Sequence, residues 1–265
     1  MAIKTIYVVR HGATKLNNQT DLSEDRIRGW ANVPLSAEGI AEAHKAAADL
    51  ISMDVDVVIS SDLRRAADTA HIIGQTIHVP VHLTPLLRPW NLGDLQGQST
   101  KHALPIIEKF VLEAPDQSVP GGESFHQFTR RASRGLQQAI SVAGDKTPCL
   151  VTHHRDERFF CAWRDKGFPP DFSIKLSTFL QKGEAPGAVR PFEIPLDRLF
   201  AGQDQLATGE TSGTNQGTNQ GNNSSAQQTD TQAGQISQGP PRSGPMRSLQ
   251  KLYSRKPVQE GPGTS

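Results

Sequence analysis

A short apolar segment that ends in an arginine, a histidine and a glycine constrains this chain most. Residues 6–9 are β-branched or aromatic and uncharged, which predicts a buried β-strand, and Arg10, His11 and Gly12 follow directly. In open α/β sheets, ligands bind at the carboxyl ends of the strands. The segment therefore indicates a binding site, although three residues alone fit a surface arginine and a core histidine equally well.

The amino-acid composition changes near residue 200 of the 265-residue chain. Residues 202–245 are mostly Gln, Asn, Thr, Ser and Gly, a composition that cannot bury enough apolar area to offset chain entropy. We therefore predict one folded domain over residues 1–200 and a disordered low-complexity tail over residues 201–265. Within the tail, residues 246–256 place apolar side chains at helical spacing among basic ones. This segment is either a disordered basic tail or a small helix that makes a weak contact with a partner.

The charge balance and the cysteines argue against several classes of protein. The chain has 28 Lys and Arg against 27 Asp and Glu, so nothing indicates a nucleic-acid partner. No segment approaches the roughly 20 apolar residues of a membrane helix, and the first apolar segment is too short for a signal peptide. Cys149 and Cys161 lack the spacing of metal ligands, which favours buried free thiols. These features predict a cytoplasmic protein with no membrane span.

Predicted strands and helices alternate along residues 1–200. After the first strand, buried strands are predicted at 55–60, 79–83 and 148–152, and the proline in the second of these favours a sheet edge. Helical patterns cover residues 36–52, 62–75, 104–112, 124–142 and 156–166. This alternation predicts a single α/β domain with a mainly parallel sheet and helices on both faces. Residues 172–181 and 188–194 are expected to pair as a terminal hairpin.

Ionisable residues follow three of the predicted strands. The first strand ends in the arginine and histidine named above, the second leads into Arg64 and Arg65, and the last ends at His153 and His154. Because the carboxyl ends of parallel strands meet at one edge of a sheet, these side chains should share a cleft with helix N-termini. Arginines, histidines and helix N-termini together are typical of a phosphate site.

The motifs at these strand ends resemble those of the histidine phosphatase superfamily, also called phosphoglycerate mutase-like proteins. The family motif Arg-His-Gly-x-Thr-x-x-Asn is matched from Arg10 to Asn17, and Ser-x-Leu-x-Arg-Ala-x-x-Thr-Ala is matched from Ser61 to Ala70. Further matches lie at residues 26–36 with Gly39, at 120–124 and at 150–153. The resemblance covers about residues 3–194 and implies a phosphoglycerate mutase-like fold.

The resemblance implies a metal-independent phosphatase that hydrolyses phosphomonoesters. His11 would attack phosphorus and form a phosphohistidine, which water then hydrolyses. Arg10, Arg65 and His153 would surround the charged phosphoryl group, and Asn17 would help to bind the small phosphorylated substrate. No metal ion or other cofactor is implied, because arginines neutralise the charge and the chain has no carboxylate cluster of the kind that binds metal.

The position of the usual proton donor departs from the family pattern. Pro89 stands where the family has a glutamate that protonates the leaving oxygen, and proline cannot transfer a proton. Asp94 in the same loop is the first candidate to replace it, followed by Glu123 and Asp156. For each of the three, a solvated or helix-capping carboxylate is the alternative.

The residue after the second motif histidine departs as well. His154 stands where the family usually has glycine, so it either crowds the substrate or adds a donor to it. Arg88 and Arg158 lie near the same predicted edge and are candidates for substrate contact, with surface ion pairing as the alternative.

Two other functions fit the same motifs. One is a mutase or phosphotransferase that uses the same phosphohistidine. The other is a weakly catalytic protein that binds phosphorylated ligands. The loss of the usual glutamate at Pro89 and the long tail are the features that favour this alternative. The segment 98–119 is short, whereas mutases of the superfamily usually carry a longer insertion there, and this favours hydrolysis over transfer.

Overall fold

Five strands and seven α-helices alternate along the residues that the structure, a computed structural model, describes: 2–17, 21, 23–181 and 183–201. The strands are β1 (Ile3–Arg10), β2 (Val57–Ser61), β3 (Val81–Thr84), β4 (Pro148–Thr152) and β5 (Val189–Pro195). The helices are α1 (Ala37–Leu50), α2 (Arg64–Ile77), α3 (Thr100–Leu112), α4 (Phe125–Ala143), α5 (His154–Arg164), α6 (Leu176–Phe179) and α7 (Leu196–Leu199). None of these helices is long and apolar enough to cross a membrane. Residues 202–265, which include nearly all of the predicted tail with its basic segment 246–256, lie outside the described residues.

The strands form one sheet in the order β3-β2-β4-β1-β5. β2 pairs in parallel with both β3 and β4, and β4 pairs in parallel with β1, whereas β5 runs antiparallel to β1. Parallel neighbours need crossover connections, and the helices between the strands supply them. The prediction of a single α/β domain with a mainly parallel sheet is confirmed, and β3 lies at an edge as its preceding proline indicated.

Alternating side chains of the buried strands contribute to two separate cores. Val9, Val58 and Val151 pack on one face of the sheet with small and branched residues of α1 and α2. Val8 and Ile59 point to the other face, where aromatic residues of α4 and α5 cover them. Because successive strand residues point to opposite faces, a continuous apolar segment such as that of β1 requires helices on both sides of the sheet.

The predicted terminal hairpin is wrong. Residues 176–179 form the short helix α6, and β5 pairs with β1 instead, with Ile3 opposite Pro195 and Val9 opposite Val189. An apolar segment as short as that of α6 does not distinguish strand from helix by its pattern. The edge of β1 away from β4 is free for β5, which explains why the last strand joins the sheet.

The start of α1 lies directly against the loop that follows β1. A Cβ atom on Gly12 would collide with the backbone of Gly39, and one on Gly39 would collide with the backbone of Ala13. The Ser36 hydroxyl caps α1 by accepting from the Gly39 N–H at 3.1 Å and donates to the Ala13 carbonyl oxygen at 3.2 Å. These contacts hold the backbone immediately after His11 in place.

Candidate active site

A cavity of about 890 Å³ opens where the carboxyl ends of β1, β2 and β4 meet. Its volume is in the range of pockets that enclose a drug-sized ligand. Seven of the predicted candidates line it: Arg10, His11, Asn17, Arg65, His153, His154 and Arg158. The parallel strands therefore bring these residues to one place, as the sequence predicts.

His11 follows β1 and is buried, with 3% of its surface exposed. Its Nδ1 lies 2.7 Å from the Gly12 carbonyl oxygen, which can only accept, so Nδ1 carries a proton and Nε2 keeps its lone pair. Burial, together with the positive charges of Arg65 and Arg10, holds the pKa of His11 well below its usual value. The imidazole is therefore neutral at neutral pH.

Arg65 in the first turn of α2 fixes the surroundings of the His11 ring. Its Nε donates to Nε2 of His11 at 3.1 Å, while Nη1 and Nη2 donate to the carbonyl oxygens of Ala31 and Gly29, both at 2.8 Å. Burial, followed by the charge of Arg28, lowers the pKa of Arg65 to about 9. The motif at residues 26–36 thus supplies the carbonyls that hold the guanidinium group against the histidine.

His153 precedes α5, and its ring centroid lies 5.0 Å from that of His11. Its Nε2 is 2.9 Å from the Ser61 hydroxyl oxygen, and its buried Nδ1 has no hydrogen-bond partner among the described residues. Burial and the charge of Arg65 hold its pKa well below the usual value. The second histidine is therefore also neutral in the unliganded protein. Ser61, which the sequence indicates only as part of a motif, is a further contact of the site.

Arg10 is the last residue of β1 and adds a second buried cation. Its Nη1 donates to the Glu184 carbonyl oxygen at 2.5 Å, and its buried Nε has no hydrogen-bond partner within the described part of the chain. Burial, followed by the charge of Arg28, lowers the pKa of Arg10 to about 10. An anion in the cavity would compensate both of these effects.

Asn17 and His154 are two further predicted residues of the lining. The Asn17 Oδ1 accepts from the N–H and the hydroxyl of Thr14, at 2.8 and 2.9 Å, which leaves the amide nitrogen as its remaining donor. The His154 Nε2 accepts from the Gly183 N–H at 3.0 Å. Burial, with the charge of Arg10 next, lowers the pKa of His154 to about 2, so this ring is a neutral part of the cavity wall.

Replacement of His154 by glutamine is expected to make the protein less sensitive to acid. As the pH falls below about 6.5, the unfolded imidazole takes up a proton while the folded one stays neutral, so the unfolded state gains stability. In the variant, the free energy of unfolding should therefore fall less steeply with decreasing pH between pH 6 and pH 4. The difference in slope from the wild type should be about 1.4 kcal/mol per pH unit. Urea denaturation at several pH values measures the slope, and pH 8 is the reference at which His154 is neutral in both states. An unchanged slope would contradict a neutral folded His154.

Two predicted site residues lie away from the cavity. Asp94 is exposed on a short 3-10 turn, and its N–H donates to the Pro120 carbonyl oxygen at 2.9 Å. Arg88 binds the Asp62 carboxylate through Nε and Nη2, at 2.6 and 2.5 Å, and lies 4.8 Å above the ring of Trp30. Neither residue is part of the cavity lining. Because Arg88 is bound to Asp62, its contacts match the surface ion pair that was the alternative to substrate contact.

The other candidates for a proton donor are also outside the cavity lining. Both carboxylate oxygens of Glu123 accept from Arg131, at 2.7 and 2.9 Å. Asp156 is fully buried, neither of its oxygens has a hydrogen-bond partner among the described residues, and burial raises its pKa well above the usual value. The carboxylates that do line the cavity, as far as the chain is described, are Asp25, Glu108 and Glu184. Sequence reasoning missed all three, and only Asp25, which directly precedes the motif at residues 26–36, had a motif nearby to indicate it.

The described residues contain no group of three or more His, Cys, Asp and Glu side chains arranged to hold a metal ion. The side chains around His11 are instead cationic or neutral, which suits an anionic ligand.

Comparison with known proteins places these features in a family. The family model described as histidine phosphatase superfamily (branch 1) matches residues 6–176. A protein of Escherichia fergusonii named "Probable phosphoglycerate mutase GpmB" is 32% identical over 152 residues, which is 56% of this chain and 68% of the relative. A protein of the same name from Proteus mirabilis is also 32% identical over 152 residues, with the same coverage of the two chains.

Solved structures share the fold. A mycobacterial glucosyl-3-phosphoglycerate phosphatase superposes with a TM-score of 0.55 at 21% identity, covering 72% of this chain and 91% of the other. YhfR of Bacillus stearothermophilus superposes with a TM-score of 0.59 at 26% identity, covering 72% and 92%. The first of these likenesses concerns the fold alone.

Proposed function

The chain belongs to the histidine phosphatase superfamily, and we propose that it is a metal-independent phosphatase that hydrolyses small phosphomonoesters through a phosphohistidine on His11. The observation that carries the proposal is the state of the His11 ring. Its Nδ1 is held by the Gly12 carbonyl, and its Nε2 keeps a lone pair 3.1 Å from Nε of Arg65. A phosphoryl group bound by this guanidinium would lie beside the nucleophilic nitrogen.

The reaction would take place in two displacements at phosphorus. First, Nε2 of His11 forms a bond to phosphorus while the bond to the leaving oxygen breaks, and that oxygen takes up a proton from solvent water. Arg10, Arg65 and the donor group of His153 would stabilise the charge on the three phosphoryl oxygens. Then a water molecule attacks phosphorus, the N–P bond breaks, and inorganic phosphate leaves a neutral histidine.

The lack of the usual proton donor predicts a strong dependence on the leaving group. Pro89 lines the cavity, and its carbonyl oxygen accepts from Nε1 of Trp30 at 2.7 Å and from Nη2 of Arg131 at 3.0 Å. General acid catalysis is worth about 10²–10⁴-fold and matters most when the leaving group is a poor one. We therefore expect aryl phosphates to be hydrolysed on the order of 10²-fold faster than alkyl phosphates. Comparing kcat/KM for p-nitrophenyl phosphate and a simple alkyl phosphate measures this ratio, and similar values would indicate that a general acid is present.

Hydrolysis of p-nitrophenyl phosphate in EDTA tests the proposed function. We expect one phosphate released for each p-nitrophenol. Rapid quenching should trap a phosphoenzyme that is labile in acid and stable in base, as an N–P bond requires. Turnover that needs a divalent cation, or turnover without such a phosphoenzyme, would contradict the proposal.

Phosphoglycerate mutase activity is the second candidate, because the relatives from Escherichia fergusonii and Proteus mirabilis carry that name. The two activities share the phosphohistidine and differ in the group that accepts the phosphoryl: water in the phosphatase, a substrate hydroxyl in the mutase. Incubation with a phosphoglycerate and analysis of the products separates them, since a mutase yields the isomer and a phosphatase yields glycerate and phosphate. Phosphate binding without any turnover would instead favour a protein that only binds phosphorylated ligands.

A further inference from the structure

The cavity extends beyond the side chains that would hold a phosphoryl group. At about 890 Å³ it has room for a drug-sized molecule. Its walls include the buried apolar side chains of Trp90 and Leu92 from the loop after β3, and of Ile107 and Val111 from α3. These walls suit a leaving group with an apolar body.

Two further arginines from the first turns of α5 line the same cavity. Arg155 makes no hydrogen bond or ion pair with any described residue. Arg158 has its Nε and Nη2 buried without a hydrogen-bond partner in the described structure, and its guanidinium carbon lies 5.7 Å from the ring centroid of Phe179. By contrast, Arg28 in the same lining pairs with Asp25 at 3.2 Å.

The position of these two arginines is unfavourable unless an anion joins them. Arg155 and Arg158 are both half-buried, and a guanidinium group that is withdrawn from water without an anionic partner loses more solvation than contact with an aromatic ring returns. The first turns of a helix also favour negative charge, because the helix dipole has its positive end there. Burial and repulsion from Arg158 and Arg28 lower the pKa of Arg155 to about 10.

The nearby carboxylates do not neutralise the pair. Glu157 is the acidic neighbour of Arg158, but its Oε1 lies 3.6 Å from Nε of Arg190. Asp156 and Glu108 are the acidic neighbours of Arg155. Burial raises the pKa of Asp156 well above its usual value and so disfavours its charged form, whereas Glu108 lines the cavity but is exposed to solvent, where its charge is screened.

We propose that Arg155 and Arg158 form a second anion-binding subsite, which holds a carboxylate or a second phosphate on the leaving group of the substrate. The inference rests on the proposed function, because it takes this cavity as the substrate site. The substrate class is then a phosphomonoester with an apolar body and an additional anionic group.

Binding of non-hydrolysable phosphonates tests the subsite without depending on turnover. The probes are 4-(carboxymethyl)benzylphosphonate, its methyl ester, and p-xylylene bisphosphonate, titrated calorimetrically. We expect at least one of the doubly anionic probes to bind on the order of tenfold tighter than the ester, as charge-assisted hydrogen bonds to arginine imply. The tighter of the two identifies the second anion as a carboxylate or a phosphate.

The preference should depend on the two arginines. It is expected to disappear in the double variant Arg155→Gln/Arg158→Gln and to remain in Arg134→Gln, which changes an exposed arginine of α4. Circular dichroism shows whether each variant is folded. If the double variant does not fold, Arg155→Gln and Arg158→Gln are measured separately, and each is expected to lose part of the preference. Equal affinities for all three probes in the wild type, or an unchanged preference in the variants, would overturn the inference. Lack of p-nitrophenyl phosphate hydrolysis would contradict the proposed function but would leave this difference in binding intact.

Discussion

Replacement of His11 by asparagine is expected to lower kcat for p-nitrophenyl phosphate by a factor on the order of 10⁴ or more. Asparagine can still donate to the Gly12 carbonyl oxygen, which lies 2.7 Å from Nδ1 of the native ring. It has no nitrogen with a free lone pair to replace Nε2, so no covalent intermediate can form. The effect on the rate should therefore be far larger than the effect on folding.

Two measurements separate the loss of the nucleophile from a general disturbance of the site. The variant should give no acid-labile phosphoenzyme on rapid quenching, while inorganic phosphate should still bind through Arg10 and Arg65. His71→Asn, which changes an exposed histidine on α2, is the matched control and should keep wild-type turnover. Phosphate release by His11→Asn within tenfold of the wild type would exclude a phosphohistidine at this position.

The grouping of the cationic and imidazole side chains could be predicted from sequence because it depends on a simple geometric rule. Arg10 ends β1, Arg65 lies in the first turn of the helix after β2, and His153 follows β4. Helices between the strands imply parallel pairing, and parallel strands end at the same edge of the sheet. The grouping of these three residues follows from that rule and needs no knowledge of the loops, although loops supply part of the cavity wall.

The loops could not be predicted in the same way. Asp94 lies five residues after Pro89 in sequence, but the turn around Gly93 (φ +45°) and the bond from the Asp94 N–H to Pro120 hold it outside the cavity lining. Arg88 pairs with Asp62, which lies 26 residues earlier in the chain. Such pairings depend on tertiary contacts, and a local pattern does not contain them.

The last strand illustrates the same limit at the level of the fold. β5 joins the free edge of β1, and the pairing of two segments about 180 residues apart has no local signal. The alternation of Phe192 and Ile194, both buried, with the exposed Glu193 between them does indicate a strand with one buried face. That pattern defines the strand but not its partner.

Replacement of Arg65 by lysine is expected to lower kcat/KM for p-nitrophenyl phosphate by about 10²- to 10³-fold, the usual effect of removing one preorganised donor at developing negative charge. Arg65 uses three nitrogens at once: two hold the carbonyl oxygens of Gly29 and Ala31, and the third lies 3.1 Å from Nε2 of His11. Lysine has one nitrogen, so it cannot hold both carbonyls and also place a donor beside the histidine.

The neighbouring arginine supplies a matched control for this substitution. Arg64 is exposed and lies 3.6 Å from Asp68 in an ion pair of the same helix. Arg64→Lys makes the same chemical change one residue away and should keep kcat/KM near the wild-type value, because exposed ion pairs contribute little. Equal losses in the two variants would mean that Arg65 has no special role in the reaction.

Phosphate-dependent stability then separates the charge of Arg65 from its geometry. Burial lowers the pKa values of Arg10 and Arg65 to about 10 and about 9, so the unliganded cavity holds cations that an anion would stabilise. Saturating inorganic phosphate should therefore raise the Tm of the wild type by an amount set by its Kd. The lysine variant keeps the positive charge, so an unchanged shift in Tm would mean that charge alone binds the phosphoryl group. We expect a clearly smaller shift, because a flexible ammonium group cannot reproduce a guanidinium group that two backbone carbonyls hold in place beside the nucleophile.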